Sequence, residues 1–448
     1  MRKEWLLLFT SIAATVVIAL GLIRWLAPDL LGGPTDLQLV QLDEKVPAFY
    51  KGVFRKEHFS YKDFQLKDPL TRVRNHPLFP RVDALGPHDI LGFRNGGVPV
   101  VADVVTIGDS ITYGNNAIIE QNWPSQLQTA INRDDVNVYN MSTGGWGAVQ
   151  YLDMFGNATL FKPRVIVVAF YTGNDPLESF SMVYGNEHWY WLVPDAGLSA
   201  SDAPSVTFPA PEAERWAVAF QDGVSTVFTP TLRLASNQDH RAVKAGYDIM
   251  AGVAEHISKL AQKGGVNVVF TIIPTKELVF VDKIKREGVT APEDYALLVQ
   301  QESKNINRLA AAISALPNAG YIDLLTPLQH AALGATNLYT STIDGHPAAA
   351  GYRVIGETIA QEISEFIPDR ASGLYALQNG DTYQILLVNQ DGIWNFQSEE
   401  LIEKNGWPPG TLPSIQRRDT VNLLHHGVIT TVDKTRFGPA CCEPANQD

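Results

Sequence analysis

Ser110 and His346 are the two side chains in this 448-residue chain whose neighbours best suit covalent chemistry. The serine stands in Gly108-Asp109-Ser110, directly after the β-branched run Val104–Ile107. A buried strand that stops at such a turn presents its hydroxyl at the carboxyl edge of a sheet, where ligands bind in open α/β folds. A serine there becomes a nucleophile once a base takes its proton and donors hold the oxyanion that forms. His346, in Asp344-Gly345-His346-Pro347, can take that proton through one ring nitrogen while Asp344 holds the other and fixes the tautomer. Gly145, in Gly144-Gly145-Trp146-Gly147, has no side chain to keep its N–H away from an oxyanion. Asn174, in Gly173-Asn174-Asp175, offers an uncharged amide. With the N–H of Ser110 itself, three donors could surround one oxygen.

Taken singly, each segment is an ordinary turn or helix cap, and Asp175 reads as a cap. The glycine-rich segment lacks the final glycine and the following acidic residue that a dinucleotide site needs. Four unrelated turns rarely supply Ser, Gly, Asn and Asp/His in one chain, and the conjunction argues for catalysis.

Alternating strand-like and helix-like segments must position these groups. Strands are expected at Val104–Ile107, Val136–Tyr139, Arg164–Phe170, Val266–Ile273 and Ala319–Leu325, with helices at Trp123–Asn132, Val149–Phe155, Val243–Gln262, Tyr295–Leu316 and Ala348–Ile367. Five strands with intervening helices predict an α/β fold, a three-layer α/β/α sandwich on a five-stranded parallel sheet. The expected organisation is a transmembrane signal anchor over 1–30 and a stalk and lead-in over 31–100. A catalytic-type domain over 101–369, interrupted by an insertion at about 176–240, and a small β-containing appendage over 370–448 follow. The insertion carries Trp189 and Trp191, which either form a platform for sugar rings or pack the insertion onto the domain. Lys276, after the fourth strand, either positions an anionic substrate or pairs with Glu277.

Composition narrows the partners. A formal charge of −13 argues against nucleic acid, which would want a basic face. The two cysteines, Cys441 and Cys442, are adjacent and cannot staple distant parts of the fold or make a zinc site. His425-His426 is not read as a metal site, and no cofactor is implied. Trp5–Leu26 is almost wholly apolar and follows Arg2 and Lys3, which favours a retained anchor over a cleaved signal peptide. The expected location is the inner membrane, with the N-terminus cytoplasmic and the domain periplasmic.

The four segments resemble the blocks of the SGNH (GDSL-type) hydrolase superfamily, over about Asp103 to Glu365. The resemblance implies a flavodoxin-like fold with Ser110 as nucleophile, Gly145 and Asn174 as oxyanion donors and Asp344 and His346 as the closing dyad. The third block is Gly-Asn-Asp where many members have Gly-x-Asn-Asp, and the last is Asp-x-His where many have Asp-x-x-His. These shortened forms are similar to those of bacterial membrane-anchored members, including alginate-type O-acetyltransferases. The expected function is a serine esterase acting on acyl esters of envelope carbohydrate. An O-acetyltransferase, working with a polysaccharide-modifying membrane partner, is the alternative, and a non-catalytic glycan-binding protein is the rival from another class.

Overall fold

The computed structural model describes residues 61–367 apart from 83, 134–135, 206–209, 232, 234–236 and 238–239, and then 373–379, 382–389, 392–396, 412, 414–415 and 425–429. The chain divides into Met1–Gly52 and Val53–Asp448, and everything described belongs to the second part. The expected anchor over 1–30 and the Cys441–Cys442 tail lie outside the described residues. Among those residues no helix is long and apolar enough to cross a membrane.

A short antiparallel hairpin, β1 (Gln65–Asp68) and β2 (Arg72–Asn75), precedes the main sheet. Strands β3 (Val104–Gly108), β4 (Val138–Ser142) and β5 (Val165–Tyr171) follow. The insertion contributes the hairpin β6 (Trp216–Ala219) and β7 (Ser225–Phe228). β8 (Asn267–Ile273) and β9 (Ala319–Asp323) complete the main sheet. Its order is β4-β3-β5-β8-β9, all parallel. Counted along the sheet this is 2-1-3-4-5, the flavodoxin-like order that the resemblance implies.

The sequence explains why the central strands sit where they do. Every residue of Val-Ile-Val-Val-Ala-Phe-Tyr in β5 is buried, as expected for a parallel strand covered on both faces. Helices Ala148–Thr159, Arg241–Gly264 and Glu293–Ser314 pack in series, while Trp123–Ile131 and Ala349–Glu362 pack on each other. Right-handed crossovers in this strand order place the two groups on opposite faces, giving three layers. Trp123–Ile131 starts where Asn122 Oδ1 accepts from Ser125 N–H at 2.8 Å, with a proline in its first turn. The second strand lies at Val138–Ser142 rather than Val136–Tyr139 because pairing with β3 sets its bounds.

Residues before the sheet are stitched to the edge that carries the turns holding Ser110 and Gly145. Gln65 Nε2 donates to Gly144 O at 2.8 Å, Asn75 Nδ2 to Ser142 O at 3.0 Å, and Trp146 Nε1 to Val73 O at 2.7 Å. The buried Arg94 guanidinium donates to the carbonyls of Ala84, Gly86, Tyr113, Gly114 and Ala117, tying this segment to the turn that follows Ser110.

The C-terminal strands β10 (Gly373–Asn379), β11 (Thr382–Asn389), β12 (Gly392–Phe396), β13 (Ser414–Ile415) and β14 (His425–Ile429) form a second five-stranded sheet, ordered β13-β10-β11-β12-β14. β10 to β12 make an antiparallel meander, and β13 and β14 join its edges in parallel.

Candidate active site

The chain moves to β4 on one side of β3 and then to β5 on the other. The crevice at that reversal is where open α/β sheets bind ligands, and the residues after β3, β4 and β5 meet there. Ser110 opens the four-residue helix Ser110–Tyr113. Asp109 caps it, its Oδ1 accepting from Ile111 N–H at 2.9 Å, and Gly114 closes it in the left-handed region. The serine side chain is thereby held at the end of β3.

Ser110 Oγ lies 2.8 Å from His346 Nε2, and His346 Nδ1 lies 2.6 Å from Asp344 Oδ1. Asp344 Oδ1 also accepts from the backbone N–H of His346 at 2.9 Å. The two-residue spacing therefore works through a tight turn: one carboxylate oxygen grips both the main chain and the ring of the residue two places on. With Nδ1–H donated to Asp344, the Nε2 lone pair faces the serine hydroxyl. Burial pushes the Asp344 carboxyl up, but the hydrogen bonds and charge of His346, with help from Asn116, outweigh it and hold the carboxyl well below its ordinary range. Asp344 is thus an anion at any working pH. Beneath the serine, the wholly buried Asp109 is pushed up to about 6, chiefly by burial.

Gly145 has φ +82°, and a Cβ built on it would meet nothing within 4 Å. Its amide donates to no described residue, and Gly145 lines the cleft. Asn174 occupies the N-cap position of helix Asp175–Gly185 without a side-chain capping bond, so its amide is also free toward the cleft. Asp175 is not the cap that its position suggests. It is buried, and its Oδ2 accepts from Tyr171 N–H and Tyr151 Oη–H, both at 2.9 Å. Burial, then the nearby Asp109, raise its carboxyl well above the ordinary range.

Ser110, Gly145, Asn174, Asp344 and His346 line one cleft of about 850 Å³, together with Phe64, Gln65, Asn115, Glu178, Ser181 and Arg233 among others. Gln65 comes from the lead-in, and Glu178, Ser181 and Arg233 from the insertion. None of these has a sequence signal of its own, because a lone polar residue in a lead-in or an insertion does not say which edge it will reach.

Three expected substrate contacts lie elsewhere. Trp189 is buried and its indole donates to Leu70 O at 2.9 Å, so it fastens the insertion to the lead-in. Trp191 is 55% exposed but lines a separate groove with His256, Leu260 and Lys263. Lys276 is wholly buried, and its Nζ donates to Thr342 O and Asp344 O, both at 2.8 Å. It holds the loop that carries the dyad rather than touching the cleft.

Lys276 yields a prediction with a definite sign. Burial lowers its ammonium from an ordinary 10.5 to about 8. Between those pH values the unfolded chain binds the proton that the folded chain has lost, so this residue makes stability rise with pH across that window. Lys276→Met should flatten that rise and leave two carbonyls without their donor, measured by denaturant unfolding at pH 8 and pH 10. Its kcat should fall by up to about 10²-fold as the dyad drifts from the serine.

Among the described residues no group of three or more His, Cys, Asp and Glu is arranged to hold a metal. The GDSL-like Lipase/Acylhydrolase family matches residues 106–354, a span that contains Ser110, Gly145, Asn174, Asp344 and His346. The chain belongs to this family. Among solved structures, it is similar to a protein assigned to the lipolytic G-D-S-L family from Desulfitobacterium hafniense DCB-2, at 13% identity over 58% of this chain and 97% of that one, with a TM-score of 0.33. A GDSL-like lipase from Bacteroides thetaiotaomicron VPI-5482 matches at 12% identity over 58% of this chain and 87% of that one, with a TM-score of 0.29. TesA matches at 16% identity over 59% of this chain and 98% of that one, with a TM-score of 0.32. Among curated proteins, none matches. Membership makes this chain an enzyme of ester chemistry, a hydrolase or an acyltransferase.

Proposed function

We propose that the protein is a serine-dependent esterase that removes acyl groups, acetyl foremost, from hydroxylated carbohydrate. The observation that carries this reading is the unbroken chain of contact from Ser110 Oγ through His346 to Asp344, at 2.8 and 2.6 Å, in a cleft that Gly145 and Asn174 also line. In this mechanism His346 takes the hydroxyl proton as Ser110 Oγ bonds to the ester carbonyl carbon. The carbonyl oxygen, now negative, accepts from the amides of Ser110 and Gly145 and from Asn174 Nδ2. His346 then returns the proton to the departing sugar hydroxyl, leaving an acyl-serine. Water, activated by the same imidazole, releases the acid and restores the serine.

The cleft supports a polar alcohol, since Gln65, Asn115, Ser181 and Arg233 offer hydrogen-bonding groups around the nucleophile. Its volume of about 850 Å³ leaves room for the second reading, in which a sugar hydroxyl replaces water and the enzyme is an O-acetyltransferase. The apolar segment Trp5–Leu26 behind Arg2 and Lys3 supports a place on the outer side of the inner membrane.

A fluorophosphonate probe should label the full-length protein and leave Ser110→Ala unlabelled. Failure of the wild-type chain to react would remove the nucleophile from this reading. Supplying 4-nitrophenyl acetate with and without an oligosaccharide separates the two acceptors. Free acetate alone marks the esterase, whereas acetylated sugar formed at the expense of acetate marks the transferase.

A further inference from the structure

The cleft of Ser110 holds a cation that acyl transfer does not use. Arg233, from the insertion, lines the cleft beside the dyad with its side chain 13% exposed. Its Nε lies 3.4 Å from Glu277 Oε2, a long contact made by one nitrogen. Nη1 and Nη2 donate to no described residue, so most of a five-donor guanidinium is unspent.

The guanidinium lies against the peptide that joins Asp344 to His346. A Cβ built on Gly345 would stand 2.2 Å from Arg233 Nη2 and 3.3 Å from Tyr171 Oη. Any side chain at 345 would displace the cation, so the dyad loop is shaped to let it through.

Pairing with Glu277 does not account for this arrangement. Glu277 is buried beside Lys276 as well as Arg233, and its Oε1 is already taken by Thr229 N–H at 3.1 Å. Two cations thus flank Glu277, with buried Glu302 also near Arg233 and Asp344 near Lys276. The carboxylates in the cleft are committed elsewhere: Asp344 to His346, and Glu178 to Arg72 at 2.5 Å. Arg233 lines the cleft with both Nη groups uncommitted to described residues, where a charge-assisted, bidentate acceptor would satisfy them.

We propose that Arg233 is a specificity-determining residue that binds an anionic group, carboxylate or phosphate, carried by the ester substrate close to its scissile carbonyl. This rests on the reading of Ser110 as the nucleophile and names the class of ester that the site selects.

Binding separates the proposal from that reading. Full-length Ser110→Ala protein is titrated calorimetrically with 4-acetoxybenzoate, its neutral methyl ester and 4-acetoxyphenyl phosphate. The parent should bind at least one anionic ester about tenfold or more tightly than the neutral one, and the tighter of the two identifies the anion. Arg233→Gln in that background should bring the ratio near one, and Arg233→Lys should keep part of it through a point charge. Equal affinity for charged and neutral esters in the parent, or a preference that survives Arg233→Gln, overturns the proposal. Because the ratio is taken within one protein, a general loss of folding does not imitate the expected result. Turnover of the same three esters by the Ser110 enzyme tests the nucleophile separately: absence of turnover sinks that assignment and leaves the binding ratio to decide on Arg233.

Discussion

Ser110→Ala is expected to lower kcat on 4-nitrophenyl acetate by about 10⁴- to 10⁶-fold while the protein stays folded. The hydroxyl oxygen lies 2.8 Å from His346 Nε2 and 3.3 Å from Asp109 Oδ2, and its one proton serves one of these acceptors at a time. Both contacts lie at the cleft and neither joins layers of the fold, so its removal should leave the melting temperature nearly unchanged. His346→Ala should cost about as much, and the double variant little more, because nucleophile and base act in one step. Asp344→Asn should lose roughly 10⁴-fold with the geometry kept, since an amide can present its NH₂ to Nδ1 and turn the imidazole to the wrong tautomer. If Ser110→Ala retained more than about a hundredth of wild-type kcat, where covalent catalysis demands the losses above, hydrolysis would have to proceed without an acyl-serine.

The second large effect falls on stability, at a contact far from Ser110 in sequence. Gly246 lies within helix Arg241–Gly264, and a Cβ there would stand 2.0 Å from the backbone oxygen of Pro176 and 2.6 Å from its carbonyl carbon. Backbone cannot rotate away as a side-chain tip can, so Gly246→Ala must push the two helices apart. A cost of about 3 kcal/mol is expected from such overpacking, lowering Tm by roughly 6–12 °C. The displaced helix begins at Asp175, directly after Asn174, so kcat should fall with stability. Gly252 in the same helix is the control, with nothing within 4 Å of a Cβ. Gly252→Ala should raise stability by about 0.5–1 kcal/mol through helix propensity alone. Thermal unfolding of both variants checks the pair, and equal shifts would mean that the close approach at Pro176 is not what limits position 246.

The candidate site was legible because its pieces are local. Gly108-Asp109-Ser110, Gly145, Asn174 and Asp344-Gly345-His346 each lie within a few residues of a strand end or helix start. Short-range turn chemistry announces such positions in a single sequence. The parallel sheet was legible for a similar reason: β5 is a continuous apolar run and β8 is apolar except at Asn267 and Thr271, as suits strands buried on both faces.

Long-range partners were not legible. Lys276 sits beside Glu277, yet its hydrogen bonds reach carbonyls 66 and 68 residues away. Trp189 and Trp191 share one short segment and line the same groove away from the cleft, yet Trp189 is buried and bonded to the lead-in while Trp191 is exposed. An aromatic residue in an insertion says that something will be covered, not what will cover it. Arg233 gave no signal at all, since a lone arginine in an aperiodic stretch is usually solvated.

By itself, then, the sequence determined which groups could act, on which strand ends they stand, and that strands and helices alternate so as to bring those ends to one edge. The tertiary structure alone decided their company. It put Lys276 under the dyad, Gln65 and Arg233 into the cleft, and Pro176 against Gly246. The physical reason is range. Turns, caps and periodicity are written by residues a few places apart, whereas burial, charge pairing and steric contact depend on which distant segments the fold makes neighbours.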